Sequence, residues 1–393
     1  MKKPSLLIIF LSVFIDLIGF GIVMPLLPLY SERFGAQGIW IGLIPASFSI
    51  MQFLFAPAWG RLSDRIGRRP VLLVSNAGSA ISYALFAYAS TLQGQTGLWM
   101  LVASRVLAGI AGANLSVASA YIADVSTPEK RSKSMGLIGM AFGLGFVVGP
   151  SLGGLAFKYF GLAGPGCVAA ILCTFNFVLG CFILAESLKP GSESAAKRAR
   201  WDQWVHTLRQ PTVGLVIGIY FLATLCFACF ETTFGLLLTK SFGYTTDTIT
   251  YLFTYCGILA ALLQGGLIGR LVKAMGERKL IPVSMFVTAL GLFMLPFSGS
   301  MAVLLIGLAV FAAGSGMNRP PTFGLISILT PASEQGAVMG VTQSAGTLAR
   351  IFGPPLATSI FAHHPFLPYF FCAGLAFVTG IFAWGKLARP AKP

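Results

Sequence analysis

Charge is what this chain has least of. Only 10% of its 393 residues are Asp, Glu, Lys or Arg, where a soluble domain carries about a quarter, so a water-soluble globular fold is excluded. Acids are scarcer still, 12 against 27 Lys and Arg, and the three histidines are His206, His363 and His364. No His, Cys, Asp and Glu spacing suits a metal ion, and no glycine-rich loop suits a nucleotide phosphate. No nucleophile–base constellation stands out either. These absences argue against ATP drive, a resident metal or other cofactor, and a membrane-embedded enzyme. The seven cysteines, an odd number, all lie in apolar stretches. Cys226 and Cys229 stand one helical turn apart, so their spacing reads as packing rather than redox chemistry.

What the chain has is apolar length. It is 56% hydrophobic with a mean hydropathy of +0.82. Runs of the roughly 20 residues needed to cross a bilayer recur from end to end, without the ten-residue alternation of a membrane barrel. Twelve spans fit: about 5–30, 40–59, 70–90, 97–122, 132–157, 163–185, 212–238, 248–272, 279–297, 300–326, 335–361 and 366–388. The expected fold is all-α and integral to the membrane. Lys2-Lys3 before an apolar run resembles a signal peptide, but the run is too long and carries Asp16, so it reads as an uncleaved first span. The net charge of +15 is distributed by topology. Arg33, Lys158 and Lys240 lie on one side; Arg105, Arg319 and Arg350 fall inside spans; the remaining Lys and Arg lie on the other side. That is the positive-inside asymmetry, which places both termini in the cytoplasm and makes nucleic acid a poor second reading.

Residues 186–211 are the one long polar connection and divide the chain into 1–185 and 212–393. Trp201 and Trp204 within it mark a short helix at the membrane interface. The two parts read as repeats. Gly60-Arg61-Leu62 with Gly67 and Arg69 matches Gly269-Arg270-Leu271 with Gly276 and Arg278 at a constant offset. Thr127-Pro128 through Met135-Gly136 matches Thr330-Pro331 through Met339-Gly340, and Gly149-Pro150 matches Gly353-Pro354. Two six-span bundles that rock against each other are a known transporter plan.

Charged residues at membrane depth are costly and usually functional. Asp16 and Glu231 are the acids so placed, and a carboxyl group held away from water can take up and release a proton. Arg105, Arg319 and Arg350 stay charged and need partners. Structural ion pairing is the plainer reading of all five. Arg319 precedes Pro320-Pro321, a pair expected to interrupt its span and line a cavity. Span 1 carries Gly19, Gly21, Pro25 and Pro28 just beyond Asp16, where a bend would couple protonation to movement. Span 5 carries Gly139, Gly143, Gly145, Gly149, Pro150, Gly153 and Gly154, whose four-residue spacings permit close helix approach. Gly60 to Leu72 holds Arg61, Arg65, Arg68 and Arg69, which read as a short cytoplasmic loop. Asp64 among them has no topological reason to be there. With Asp124 and Glu129 as partners, it suggests a charge cluster that closes in one conformation and parts in another.

These residues resemble the major facilitator superfamily. Gly60-x-Leu62-x-Asp64-Arg65-x-Gly67-Arg68-Arg69 is similar to its loop 2–3 signature. Gly145-xxx-Gly149-Pro150-xx-Gly153-Gly154 resembles the span 5 signature of its proton-coupled antiporters, and Arg105 with Gly109 and Gly112 the span 4 signature linked to proton transfer. Asp16 through Pro28, with Met51-Gln52 to Pro57, is most similar to the tetracycline/proton antiporters. The resemblance implies the twelve-helix facilitator fold in the inner membrane of a cell. It also implies export of drugs or metabolites by a monomer exchanging them for protons, with Asp16, Glu231 and Arg105 coupling the protons. Arg68 or Arg69 would pair with Asp124. Tetracycline antiporters resemble one another in acids of spans 3 and 9, where this chain has Ser82 and Thr288, which argues against a metal–tetracycline complex. Arg319, Arg350, Glu231 and Gln52 are the expected substrate contacts, and the arginines favour a small amphipathic anion. Uptake of an organic anion is the alternative within transport; a membrane-embedded enzyme or a sensor is the weaker alternative from another class, the linker being too short for a sensor's output domain.

Overall fold

The computed structural model describes residues 4–112, 115–126, 128–188, 200–331 and 334–388. The helices are α1 (Leu6–Val23), α2 (Leu27–Arg33), α3 (Ile39–Ile66), α4 (Arg68–Ala89), α5 (Gly94–Ala111), α6 (Leu115–Val125), α7 (Pro128–Phe160) and α8 (Gly164–Ile183). They continue as α9 (Arg200–Arg209), α10 (Pro211–Phe242), α11 (Thr246–Leu262), α12 (Ile268–Met275), α13 (Glu277–Met294), α14 (Met301–Leu329), α15 (Gln335–His363) and α16 (Leu367–Ala383). No strand occurs among the described residues. This is an all-α integral membrane protein, because only structures that satisfy their backbone internally can cross hydrocarbon.

Ten runs among the described residues are long and apolar enough to span a bilayer. One of them, Leu137–Ile183, is 47 residues long and reverses at Gly161–Ala163, so it holds two passages. The 29-residue α15 falls below the apolar threshold because Gln335, Gln343, Arg350 and His363 dilute it. These two adjustments account for the twelve expected spans. Large apolar side chains such as Trp99, Phe160, Ile171, Phe182 and Val378 stand exposed on the helices, as lipid-facing residues do.

The chain forms two compact units, Met1–Lys197 with Thr245–Thr254, and Arg198–Tyr244 with Tyr255–Pro393. In the first, α1 packs on α7, while α4 packs on both α5 and α8. In the second, α10 packs on α15, while α13 packs on both α14 and α16. The sequence repeat is therefore a repeat of helix partners. Its turn is repeated too: Gly67 (φ 103°, ψ 159°) joins α3 to α4, and Gly276 (φ 73°, ψ 159°) joins α12 to α13. Only glycine adopts such a φ without strain.

Two local expectations are corrected. The basic segment is not a loop: Gly60 to Ile66 continue α3, Arg68 begins α4, and Gly67 alone is non-helical. The helices simply run on past the hydrocarbon, where the arginines reach water and acids. Pro320-Pro321 does not interrupt α14, nor Pro150 α7. Proline already has a helical φ, and dense packing of α13 on α14 holds the turn despite the missing N–H groups. The break expected beyond Asp16 is present: α1 runs through Gly19 and Gly21 to Val23, and the chain turns at Met24–Leu26, around Pro25, before α2.

The glycines have another use. A Cβ on Gly21 would lie 2.7 Å from the Gly145 carbonyl oxygen, and one on Gly149 would lie 2.6 Å from the Gly21 carbonyl carbon. One on Gly153 would lie 2.7 Å from the Ile22 carbonyl oxygen. The backbones of α1 and α7 therefore touch along Gly145, Gly149 and Gly153. Gly154 lies against Thr250, and Ser151 Oγ donates to Thr254 Oγ1 at 3.1 Å, which seats the start of α11 on α7. Gly139 has no neighbour in reach among the described residues. Gly149→Val forces backbones apart and is expected to destabilise the purified protein by about 1–3 kcal/mol, the usual cost of overpacking. Gly139→Val is expected to change little. Thermal unfolding in detergent measures both.

Candidate functional site

In the first unit the polar residues of the interior gather around α1. Asp16 is half-buried, and the Cys173 thiol of α8 points to its Oδ1 at 3.9 Å. Arg105 of α5 is 2% exposed. Its Nε donates to Ser104 Oγ at 3.3 Å, and its guanidinium lies over the rings of Tyr83 (5.3 Å) and Phe86 (5.0 Å) of α4. Arg105 Nη2 has no hydrogen-bond partner among the described residues. Aromatic faces are the one apolar surface that stabilises a buried cation. Tyr83 is within electrostatic reach of both Asp16 and Arg105, so it connects the two residues that the sequence singled out. One turn before Asp16, Asn176 Nδ2 donates to the Ser12 carbonyl at 3.0 Å and Asn76 Nδ2 to Ser12 Oγ at 3.3 Å. These amides clamp α1 to α8 and α4. Sequence reading missed Tyr83, Asn76 and Asn176, because uncharged polar residues are unremarkable in a membrane helix until their partners are known.

The basic segment is a network with one hub. Arg68, almost fully buried, holds Asp64 Oδ1 at 2.6 Å, Asp124 Oδ2 at 3.2 Å and Ser63 Oγ at 2.6 Å. It ties the end of α3 to the end of α6. Arg69 turns elsewhere: its Nε and Nη2 donate to the carbonyls of Leu184 and Cys181, each at 2.8 Å, closing the C-terminal end of α8. Glu186, which sequence reading used only as the start of the polar linker, accepts N–H groups of Arg68 (2.9 Å) and Arg69 (3.1 Å). It also accepts those of Ser187 and Leu188, each at 2.9 Å. Ser187 Oγ donates to Asp124 at 2.9 Å. The carboxylate thus caps the N-terminus of α4, where helix dipole and orphan N–H groups attract an anion. Gly67 has no side chain partly because Glu186 occupies that space. Arg61 and Arg65 are exposed. Of the two acids expected beside the arginines, Asp124 is engaged, and the side chain of Glu129 lies outside the described residues.

In the second unit Arg350 of α15 donates from Nη1 to Glu231 Oε2 of α10 at 2.9 Å. Its guanidinium lies 5.8 Å from the centre of the Phe227 ring. Arg319 lies over the ring of Phe323 at 5.4 Å. Gln52, in the first unit, donates to the Gly112 carbonyl at 3.0 Å, at the C-terminal end of α5. Ser82 and Thr288 bond to carbonyls one turn back in their own helices, and Thr288 is packed tightly by Gly314. The short linker helix α9 packs against α10 and α15, with His206 Nδ1 4.0 Å from Glu334.

This arrangement defines a polytopic membrane protein with charged groups held in two repeated helical units. The chain matches the Major Facilitator Superfamily over residues 9–354 and again over 216–393, and it belongs to that family of transporters. It is 34% identical to the class C tetracycline resistance protein of Escherichia coli, over 92% of this chain and 91% of that protein. It is 28% identical to multidrug resistance protein 2 of Bacillus subtilis (strain 168), over 97% and 94%. The crystal structure of the human organic anion transporter MFSD10 (TETRAN) superposes with a TM-score of 0.75 at 25% identity, covering 97% of this chain and all of that one.

Removing the hub should be costly. Arg68→Ala leaves Asp64 and Asp124 without their cation, and the loss expected for breaking a buried pair is about 3 kcal/mol. Arg65→Ala, exposed in the last turn of α3, is expected to change stability by less than about 0.5 kcal/mol. Thermal unfolding of the two variants in one detergent compares them directly.

Proposed function

We propose that this transporter exports small amphipathic compounds, drugs or metabolites, in exchange for protons, and that Asp16 is its principal proton site. One observation carries the reading: the half-buried carboxylate of α1 lies beside the stretch where α1 and α7 touch through glycine. Charging or neutralising Asp16 changes the cost of keeping that part of α1 out of water, and a glycine seam lets two helices slide without opening a leak. Arg105, held on aromatic rings, sets the electrostatic field around the carboxylate through Tyr83. The Arg68 hub acts as the gate, intact in one conformation and parted in the other. The proton gradient replaces any cofactor. The protein works as a monomer in the inner membrane of the cell, with both termini in the cytoplasm.

Resistance proteins among the relatives support export. The human organic anion transporter supports a second reading, uptake or exchange of organic anions. Pairing of Arg350 with Glu231 weakens the case that its charge awaits an anion. The self-satisfied hydroxyls of Ser82 and Thr288 speak against a metal–tetracycline cargo.

Asp16→Asn is expected to abolish cargo-driven proton flux in proteoliposomes while the protein stays folded. Flux that survives the substitution removes Asp16 from the mechanism. In cells, an uncoupler should raise the accumulation of a radiolabelled cargo if the protein exports it, and lower it if the protein takes it up.

A further inference from the structure

We propose that the corner where the turn between α12 and α13 meets the end of α16 binds one anionic phospholipid, whose phosphate is held by Arg278, Lys279 and Lys386. The corner has a counterpart in the first unit, since α16 packs on α13 as α8 packs on α4. There the cations are answered from within: Arg68 by Asp64 and Asp124, and Arg69 by the Cys181 and Leu184 carbonyls at the end of α8. The constant offset puts Lys273 in the place of Asp64 and Arg278 in the place of Arg69. Where the chain beyond α8 brings the carboxylate of Glu186, the chain beyond α16 brings Lys386, in a π-helical turn over Trp384–Ala388.

Lys273, Arg278, Lys279 and Lys386 are exposed, and none of them has a hydrogen bond or ion pair among the described residues. Glu277, the acid of this corner, lies against α14: its Cγ would be 3.7 Å from a Cβ on Gly324. Like charges gathered without an acid repel one another, and an anion brought from outside relieves that repulsion.

The depth of the corner identifies the anion. Ring pairs set α13 and α16 antiparallel in a fixed register, Phe293 with Phe370 at 5.8 Å and Phe286 with Phe377 at 5.6 Å. Another seven residues along each helix bring Lys279 level with Trp384. Trp384 is 45% exposed and Phe382 55%, as side chains that face lipid are. An indole at the boundary between apolar and charged residues marks the headgroup level of a bilayer, where cations on long stems reach phosphates. Free phosphate would meet the cations and leave the rings uncovered. A phospholipid meets both, with its phosphate on the basic side chains and its acyl chains along Trp384 and Phe382. A zwitterionic lipid carries its own cation into the corner, so a headgroup of net negative charge is favoured.

Thermal unfolding of the full-length protein in a neutral detergent, titrated with dioleoyl phosphatidylglycerol or with the phosphatidylcholine of the same chains, tests the assignment. Phosphatidylglycerol should raise the unfolding temperature saturably, and phosphatidylcholine should not. The Lys279→Gln, Lys386→Gln variant should need about thirtyfold more phosphatidylglycerol for half the effect, roughly fivefold for each surface charge removed. The Arg33→Gln, Lys158→Gln variant, which removes the same charge from the first unit, should leave that midpoint unchanged. Phosphatidylglycerol brominated on its acyl chains should quench tryptophan fluorescence more than brominated phosphatidylcholine does, and Trp384→Phe should erase most of the difference. Equal stabilisation by the two lipids, an unmoved midpoint in Lys279→Gln, Lys386→Gln, an equal loss in the first-unit variant, quenching indifferent to Trp384→Phe, or full stabilisation by soluble glycerol phosphate alone each overturns the proposal.

Discussion

A charge inside a bilayer has no water to fall back on, and Arg350 and Arg105 each meet a specific group, as do Arg68 and Arg69 at the helix ends past the hydrocarbon. Arg350 is answered by a carboxylate, Arg105 by two aromatic faces, and Arg68 by two aspartates and a serine. Arg69 is answered by the carbonyls that end a helix. Those answers dictate which helices must be neighbours. Arg105 holds α5 to α4, Arg350 holds α15 to α10, and Arg68 with Glu186 gathers the ends of α3, α4, α6 and α8 into one knot. Removing any one partner strands a charge rather than merely deleting a contact.

The apolar contacts obey a different rule. Burying one hydrocarbon side chain against another gives little drive when the alternative is lipid, so helices associate where their backbones can come closest. Gly21, Gly145, Gly149 and Gly153 supply that closeness for α1 and α7, and Gly291 and Gly314 for α13 and α14. A seam of this kind is tight yet carries few interlocking side chains. That combination leaves room for a carboxylate, Asp16, immediately beside the contact.

Much of this was legible in the sequence. The number of passages followed from apolar length, since the bilayer sets the length. Polar exceptions to an apolar background, Asp16, Arg105, Glu231 and Arg350, were visible for the same reason. The repeat was visible because Gly67 and Gly276 answer a backbone demand that no other residue meets cheaply. What was not legible was pairing. Nothing in a single sequence says that Glu231 meets Arg350 across 119 positions, or that Glu186 reaches back to Arg68 across 118. Proline misled at Pro320-Pro321 because its local cost can be overridden by tertiary packing, which local pattern does not contain.

The two units also differ where they are most alike. At the matched turns, Asp64 and Arg68 of the first unit correspond to Lys273 and Glu277 of the second, so acid and base have exchanged places. The backbone therefore demands the glycine and is indifferent to the sign of the pair around it. The consequences are unequal, however. Glu277 begins α13, where an acid suits the positive end of the helix dipole without help. Arg68 and Arg69 begin α4, where the dipole opposes them, and that start is tolerable only because Glu186 arrives from beyond α8 to accept their N–H groups. The first unit has thus made its turn depend on a distant carboxylate at the entry to the linker, and the second has not. A connection stable by itself has no reason to respond to its surroundings. One that needs a partner from another helix depends on where that helix sits, and this dependence is what sets the first turn apart from its repeat.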